Sequence, residues 1–152
     1  MCDAAGTGRV QAVHRSRVEW MDTDAAGHHH NTAIVRFVEA AEAALVARCG
    51  LDGYFGAAPR VRFEADYTAR LWFGQQVTAV VFVERVGTSS LTLGFEVWGE
   101  PTGDHPRALA AKGRYVTVYL PPGHESSVPW PAAWRAALRG AAPRRASSVD
   151  DA

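Results

Sequence analysis

The sequence predicts an α+β domain: an antiparallel sheet wrapped around one long central helix, with a short helix near the end of the chain. Three observations predict it. Residues Thr32 to Cys49 carry apolar side chains at helical spacing. Everything from Pro59 to Leu120 reads as strands separated by turn residues. One further strand precedes the helix, so the order is strand, long helix, four strands. One apolar helix cannot shield both faces of such a sheet. The simplest packing wraps the sheet around the helix and leaves the other face or an edge to a second copy, which predicts a homo-oligomer.

In chain order, His14 to Trp20 reads as a strand that ends in MDTDAAGHHHN, where Gly27 and two aspartates mark a loop. Ile34, Val38, Ala41, Leu45 and Cys49 then recur at steps of three or four with Phe37 beside them, while Arg36, Glu39, Glu42 and Arg48 fall elsewhere around the wheel. Asn31 is placed to cap the helix start. Gly50 followed by Leu51 reads as a left-handed stop with its apolar contact. Val61, Phe63, Ala65 and Tyr67 alternate with Arg62, Glu64, Asp66 and Thr68, the pattern of a half-buried strand. Val77 to Val86 is nearly continuous apolar sequence, as in a central strand. Gly87-Thr88-Ser89-Ser90 breaks it, and the alternation of Leu91, Leu93, Phe95 and Val97 with polar neighbours predicts the second arm of a hairpin. Glu100 to Pro106 is another turn and Leu109 to Leu120 a long last strand. Pro131 opens a short helix through Leu138, proline being allowed at a first helical position.

The 152 residues fit one domain, 10–140, between polar tails at 1–9 and 141–152 that are expected to be flexible. At 47% hydrophobic and 21% charged, the composition is that of an ordinary soluble protein. Sixteen basic and sixteen acidic residues cancel, so no global field recruits nucleic acid or an anionic membrane. No apolar run approaches the ~18 residues that span a bilayer, and the first residues lack the apolar stretch of a signal peptide. Cys2 and Cys49 do not suggest a disulfide framework, so the cytoplasm is the expected location.

The segment Val18-Glu19-Trp20-Met21-Asp22-Thr23-Asp24-Ala25-Ala26-Gly27-His28 resembles the opening motif of the 4-hydroxybenzoyl-CoA thioesterase-like hotdog family, in which a strand ends in a D-x-D-x-x-G loop leading into the central helix. Arg36-Phe37-Val38-Glu39-Ala40-Ala41 looks like that family's helix, Glu64-Ala65-Asp66-Tyr67 with Phe73-Gly74 like its second strand and turn, Glu84 to Leu91 like its hairpin, and Ala111-Lys112-Gly113-Arg114 like its last strand. The resemblance covers roughly Arg17 to Leu120. It implies a hotdog fold, a homodimer that often pairs again, and acyl-CoA sites at the subunit interface. It also implies a catalytic carboxylate at Asp24 and an electrophilic backbone N–H at or next to Asn31. Coenzyme A would enter only as part of the substrate; no cofactor and no metal are implied.

Thioester hydrolysis needs a nucleophile and a place for negative charge on the carbonyl oxygen. A carboxylate can activate water or attack directly to form an anhydride, and the sequence leaves both open for Asp24. A helix N-terminus offers free N–H groups and a positive dipole end, the makings of an oxyanion hole. Gly27 would let the loop backbone approach the substrate. His28, His30 and Thr32 are candidates to line the pocket. Glu64, Arg85, Ser89 and Arg114, with Lys112, are candidate substrate contacts from other elements.

Each assignment has a plainer competitor. Asp24 reads equally as a loop-capping aspartate when taken alone, and Asp22 reads as a structural turn or cap residue. The three histidines would need to converge to hold a metal, which consecutive side chains seldom do. Glu39 and Glu42 read as interface or solvated helix residues, with a second acid from Glu42 as the lesser reading. Glu64 reads as a member of a cross-strand ion pair, and Cys49 and four of the tryptophans (Trp72, Trp98, Trp130, Trp134) as packing. The leading activity is acyl-CoA hydrolysis. Hydrolysis of an acyl carrier protein thioester and a non-catalytic acyl-CoA-binding module are the alternatives, while the loop lacks the His and carboxylate arrangement of a hotdog dehydratase.

Overall fold

The computed structural model describes residues 8–24 and 27–140. Five strands form one antiparallel sheet: β1 (Gln11–Arg17), β2 (Arg60–Tyr67), β3 (Gln76–Val86), β4 (Ser90–Gly99) and β5 (Ala108–Val118), in the order β1-β3-β4-β5-β2. Helix α1 (Ala33–Cys49) lies in the concave face, and helix α2 (Ala132–Leu138) closes one end. This is the hotdog arrangement. The expected tails, apart from residues 8 and 9, and the loop residues Ala25 and Ala26 lie outside the described residues.

The amphipathic spacing of α1 decides where it sits. Ile34, Phe37, Val38, Ala41 and Leu45 are fully buried, in one cluster with Ala12, Ala79, Val81, Leu91, Leu93 and Phe95 from the inner faces of the strands. Each large apolar side chain removed from water in this way contributes about 1.5–3 kcal/mol. Gly50 ends the helix at φ 65°, and the Leu51 N–H reaches back to the Val46 carbonyl at 3.1 Å, the left-handed stop the sequence predicts. At the far end Trp130 is buried and stacks on Tyr54 and Tyr119 at centroid distances of 6.0 and 5.2 Å, with Trp134 beside them. Trp98 lies under the Arg107 guanidinium and Trp72 stacks on His105, so these tryptophans do serve packing.

The helix is not centred on the sheet. It lies chiefly over β1 and β3, less over β4, and leaves the inner side of β2 largely uncovered. There Phe63 and Ala65 are half-buried and Tyr67 is exposed. Among the described residues β2 pairs only with β5, so its other edge is unpaired there.

Four expectations need correction. The first strand stops at Arg17, not Trp20. The Glu19 N–H donates to the Asp22 carboxylate at 2.8 Å, which turns Trp20–Asp22 into a single 3-10 turn and leaves Trp20 81% exposed. The helix begins at Ala33 with Thr32, not Asn31, at the cap position. No side chain caps it, because the Thr32 hydroxyl is engaged by the His30 ring Nδ1 instead. Pro131 likewise stands at the cap of α2, outside its first turn. Finally, Glu42 is buried, not solvated: it lies four residues after Val38 and three before Leu45, on the apolar stripe itself.

Candidate active site

The loop between β1 and α1 folds back on itself. Thr23 bridges to His29, the Asp24 N–H donates to the His28 carbonyl at 3.1 Å, and the His30 N–H donates to the Asp22 carbonyl at 2.9 Å. Gly27 closes the tip by donating its N–H to the Asp24 carbonyl at 3.1 Å. It does so at φ 82°, a conformation that costs a side-chain-bearing residue ~1–2 kcal/mol. A Cβ there would meet nothing within 4 Å, so the requirement for glycine is conformational and not steric.

Two carboxylates enter this loop and are treated differently. Asp22 is 2% exposed. Its carboxylate accepts from Arg36 Nε at 2.8 Å, from Arg36 Nη2 and from the Glu19 N–H, tying the loop to the first turns of α1. Burial pushes the Asp22 carboxyl up, but the Arg36 and Glu19 hydrogen bonds and the Arg36 charge outweigh it and hold the group below its ordinary 3.8. Asp24, two residues on, is exposed.

The three histidines separate. His29 is buried at 6% exposure, and its Nδ1 accepts the Leu71 N–H at 3.0 Å. That bond puts the ring proton on Nε2, which has no partner among the described residues. Burial, then the neighbouring His28 and His30, lower the His29 pKa. The neutral ring pins the loop to the segment before β3. His28 is half-buried and meets Trp72 edge to face, while His30 is held between the Met21 carbonyl and the Thr32 hydroxyl. His28 and His30 were singled out from the sequence and His29 was not. Three identical neighbours give no signal of which one turns inward, and only the pairing of Thr23 with His29 sets it.

The start of α1 carries no acidic residue in its first turn. The carbonyls of His30, Asn31 and Thr32 accept the N–H groups of Ala33, Ile34 and Val35, but among the described residues the N–H groups of Asn31 and Thr32 donate to no backbone carbonyl. Both amides stand at the positive end of a 17-residue helix. The Tyr67 hydroxyl, at the end of β2, lies 3.4 Å from the Asn31 carbonyl.

Asp24, Gly27, His28, His30, Asn31 and Thr32 thus share one loop, whereas the remaining candidates lie elsewhere in the protomer. Glu64 and Arg114 face outward from the sheet, around an open cavity of about 720 Å³ shared with Lys112 and Glu84. Glu64 pairs with Arg62 on its own strand, and Arg114 pairs with Glu84 at 3.5 Å, so the cross-strand partner of Glu84, not of Glu64, is Arg114. Arg85 lies near the end of β3, beside Arg9 and Arg139, and Ser89 in the turn before β4. Among the described residues no three of His, Cys, Asp and Glu are grouped to hold a metal ion. No helix among the described residues is long and apolar enough to cross a membrane.

A sheet folded around one central helix, with a loop running from the first strand into the helix start, defines a class: the hotdog-fold proteins. Comparison with known proteins gives the family. The profile of the thioesterase superfamily matches residues 26–104, and the chain belongs to that superfamily. A thioesterase of Thermus thermophilus, solved with coenzyme A and Zn, is 30% identical with a TM-score of 0.70, the match covering 82% of this chain and 90% of that one. A thioesterase predicted in Bacillus stearothermophilus is 27% identical with a TM-score of 0.75, covering 85% and 94%. The 4-hydroxybenzoyl-CoA thioesterase of Pseudomonas sp. strain CBS-3 shares the fold at 18% identity, with a TM-score of 0.75 and coverage of 84% and 98%. No curated protein matches the chain.

Proposed function

We propose that this thioester hydrolase acts on acyl-CoA, with Asp24 as the group that delivers the oxygen nucleophile and the N–H groups at Asn31 and Thr32 as the donors to the carbonyl oxygen. The observation that carries the reading is the contrast inside the loop: Asp22 is locked to Arg36 while Asp24 is exposed, and the chain then runs directly into a helix start where the Asn31 and Thr32 amides donate to no backbone carbonyl among the described residues. Negative charge developing on a thioester oxygen at that position would meet N–H dipoles already oriented by the helix, which cost no reorganisation during reaction. Asp24 then either takes a proton from water, whose oxygen adds to the carbonyl carbon and expels the coenzyme A thiolate, or itself attacks that carbon and expels the thiolate to give an anhydride that water opens. His28 and His30 flank the thioester, and Gly27 sets the turn that presents Asp24.

The assembly that fits this reading is a homodimer joined along β2. Its unpaired edge would otherwise stand open, and Val61 and Tyr67 on that strand are 60% and 44% exposed. Pairing there would bring Glu64 and Arg114 of one protomer nearer the loop of the other. We assign the enzyme to the cytoplasm, where acyl-CoA is the available substrate class and Cys49 stays a thiol.

Thiol release from a panel of acyl-CoAs, followed for the natural chain and for Asp24→Asn, tests the function. Turnover of at least one member with a loss of ~100-fold or more in the variant is expected. Equal rates would remove Asp24 from the mechanism, and tight acyl-CoA binding without release would make the chain a binding module. Light scattering at micromolar concentration tests the dimer, which a well-folded monomer would contradict.

A further inference from the structure

The turn that follows β1 carries apolar side chains that the proposed mechanism does not use. Trp20 and Met21 are 81% and 67% exposed on the 3-10 turn, and Phe73 is 64% exposed on the turn before β3. The two turns adjoin. The Val18 N–H donates to the Gln75 carbonyl and the Gly74 N–H to the Val18 carbonyl, both at 2.9 Å, which extends the pairing of Arg17 with Gln76 by one step. Both turns also abut the candidate site. The Met21 carbonyl holds the His30 ring, and Trp72, next to Phe73, bridges to His28. A single apolar residue on a surface needs no explanation, but three large ones on adjoining turns mark a contact surface.

Beside this ridge lies an open cleft of about 810 Å³ on the outer face of the sheet, where Arg15, Arg17 and Arg107 meet a single acid, Glu100. Glu100 is already engaged by the Thr78 hydroxyl at 2.8 Å and by Arg107 Nε at 3.1 Å. Arg15 and Arg17 are exposed. The cavity of about 720 Å³ farther along this face has the opposite balance, with Glu64, Asp66, Glu84 and Glu96 against Lys112 and Arg114. The chain as a whole carries sixteen charges of each sign, so the separation is local. An acidic partner that covers only the β1 side of the sheet gains from the arginines without meeting the carboxylates. An anionic membrane is an extended plane and would meet both. Exposed arginine beside tryptophan and methionine is the composition of a protein-binding surface.

The position narrows the partner further. A protein seated on Trp20, Met21 and Phe73 stands against the loop that presents Asp24. It would obstruct that loop unless it brought the thioester with it. A carrier protein does so, because its acyl group hangs on the same pantetheine arm that coenzyme A carries. The chemistry at the thioester is then the same for both donors.

We infer that the ridge of Trp20, Met21 and Phe73, with the cleft of Arg15 and Arg17, docks an acidic acyl carrier protein that delivers its acyl group to the Asp24 loop. Water cleaves the thioester, releasing the acid and leaving the pantetheine thiol on the carrier. The inference rests on the hydrolase reading and adds a protein donor to coenzyme A. These five residues bind the donor and take no part in the chemistry.

The test compares thiol release from dodecanoyl-CoA and from a dodecanoyl acyl carrier protein by the full chain, by Arg15→Glu/Arg17→Glu and by Trp20→Ala/Phe73→Ala. The natural chain should favour the carrier by ~10-fold or more in kcat/KM at low salt, and the preference should fall as salt screens the arginines. Both double variants should lose ~10-fold or more on the carrier while changing less than about twofold on dodecanoyl-CoA. An equal loss on both donors would give the arginines to coenzyme A itself, and no loss on either would leave the patch without a donor; each result overturns the inference. Binding of the pantetheinylated carrier to ¹⁵N-labelled protein decides the docking without turnover. Amide shifts around Arg15, Trp20 and Phe73 that both variants lose support it, and shifts elsewhere, or none, refute it. Carrier binding at the patch with no thiol release from either donor overturns the hydrolase reading instead. Two other occupants have their own signatures. A change of mass in light scattering for Trp20→Ala/Phe73→Ala would give the ridge to a second copy of the chain. Co-sedimentation of the natural chain with phosphatidylglycerol vesicles, lost in that variant, would give it to a membrane. Either result overturns the carrier, and an unchanged mass with no vesicle binding is expected.

Discussion

Asp22 and Asp24 are the same residue type, two positions apart in one loop, and the structure gives them opposite surroundings. Asp22 is buried, accepts hydrogen bonds from Arg36 and the Glu19 N–H, and is held ionised by them. Asp24 is exposed beside the turn that Gly27 closes. A carboxylate whose lone pairs are already occupied in a closed ion pair is a poor base or nucleophile, and it is well suited to fixing a loop on a helix. The difference separates the residue that builds the site from the residue proposed to act in it. Substitutions should therefore separate into effects on stability and effects on rate.

The largest effect is expected at Asp24. Asp24→Asn should lower kcat/KM by ~100-fold or more with a much smaller effect on the urea midpoint than Asp22→Ala, since Asp24 is exposed. Asp22→Ala should do the reverse. It strands Arg36, which is itself partly exposed, and removes the partner of a backbone N–H, so unfolding free energy should fall by about 2–3 kcal/mol in urea titration. The pH dependence follows in sign. Because the Asp22 carboxyl is held below its ordinary 3.8, its contribution is present above that value and lost as pH falls through the lower folded value. Acid unfolding of the natural chain should therefore be steeper in that range than that of Asp22→Ala.

Gly27→Ala sharpens the comparison, because it bends the turn that presents Asp24 without touching the Asp22 clamp. It should cost ~1–2 kcal/mol of local strain, seen as a moderate loss in kcat/KM and a small shift in melting temperature. The smallest effect is expected at His29. Its pKa is lowered by burial and by His28 and His30, with Asp24 opposing, so the loop is firmest above the ordinary 6.5 and loosens as pH falls below it. Protonation of Nδ1 also removes the acceptor for the Leu71 N–H. Exchange of that amide, corrected for its intrinsic rate, should quicken between pH 7 and 5.

Much of this was legible in the sequence. Helical spacing from Ile34 to Cys49 and alternation in β2 and β4 carried the fold, since burial of one face imposes those periods directly. The motif around Asp24 and Gly27 placed the loop before the helix. What escaped depends on partners distant in sequence. The pairing of Asp22 with Arg36 spans fourteen positions, and the pairing of Glu42 with Arg60 more. Glu42 did carry a signal: its place between Val38 and Leu45 put a charge on the buried stripe, which calls for a buried partner. The end of β1 was misplaced because Trp20 is apolar yet turned outward by a hydrogen bond that composition cannot reveal.

The central claim is geometric, and a crystal structure of Asp24→Asn holding an intact acyl-CoA tests it most directly. The account predicts the thioester oxygen within about 3 Å of the Asn31 or Thr32 amide nitrogen, with the substituted side chain on the other flank of the same carbonyl. A thioester bound away from the start of α1, or one whose oxygen meets neither amide, would contradict it.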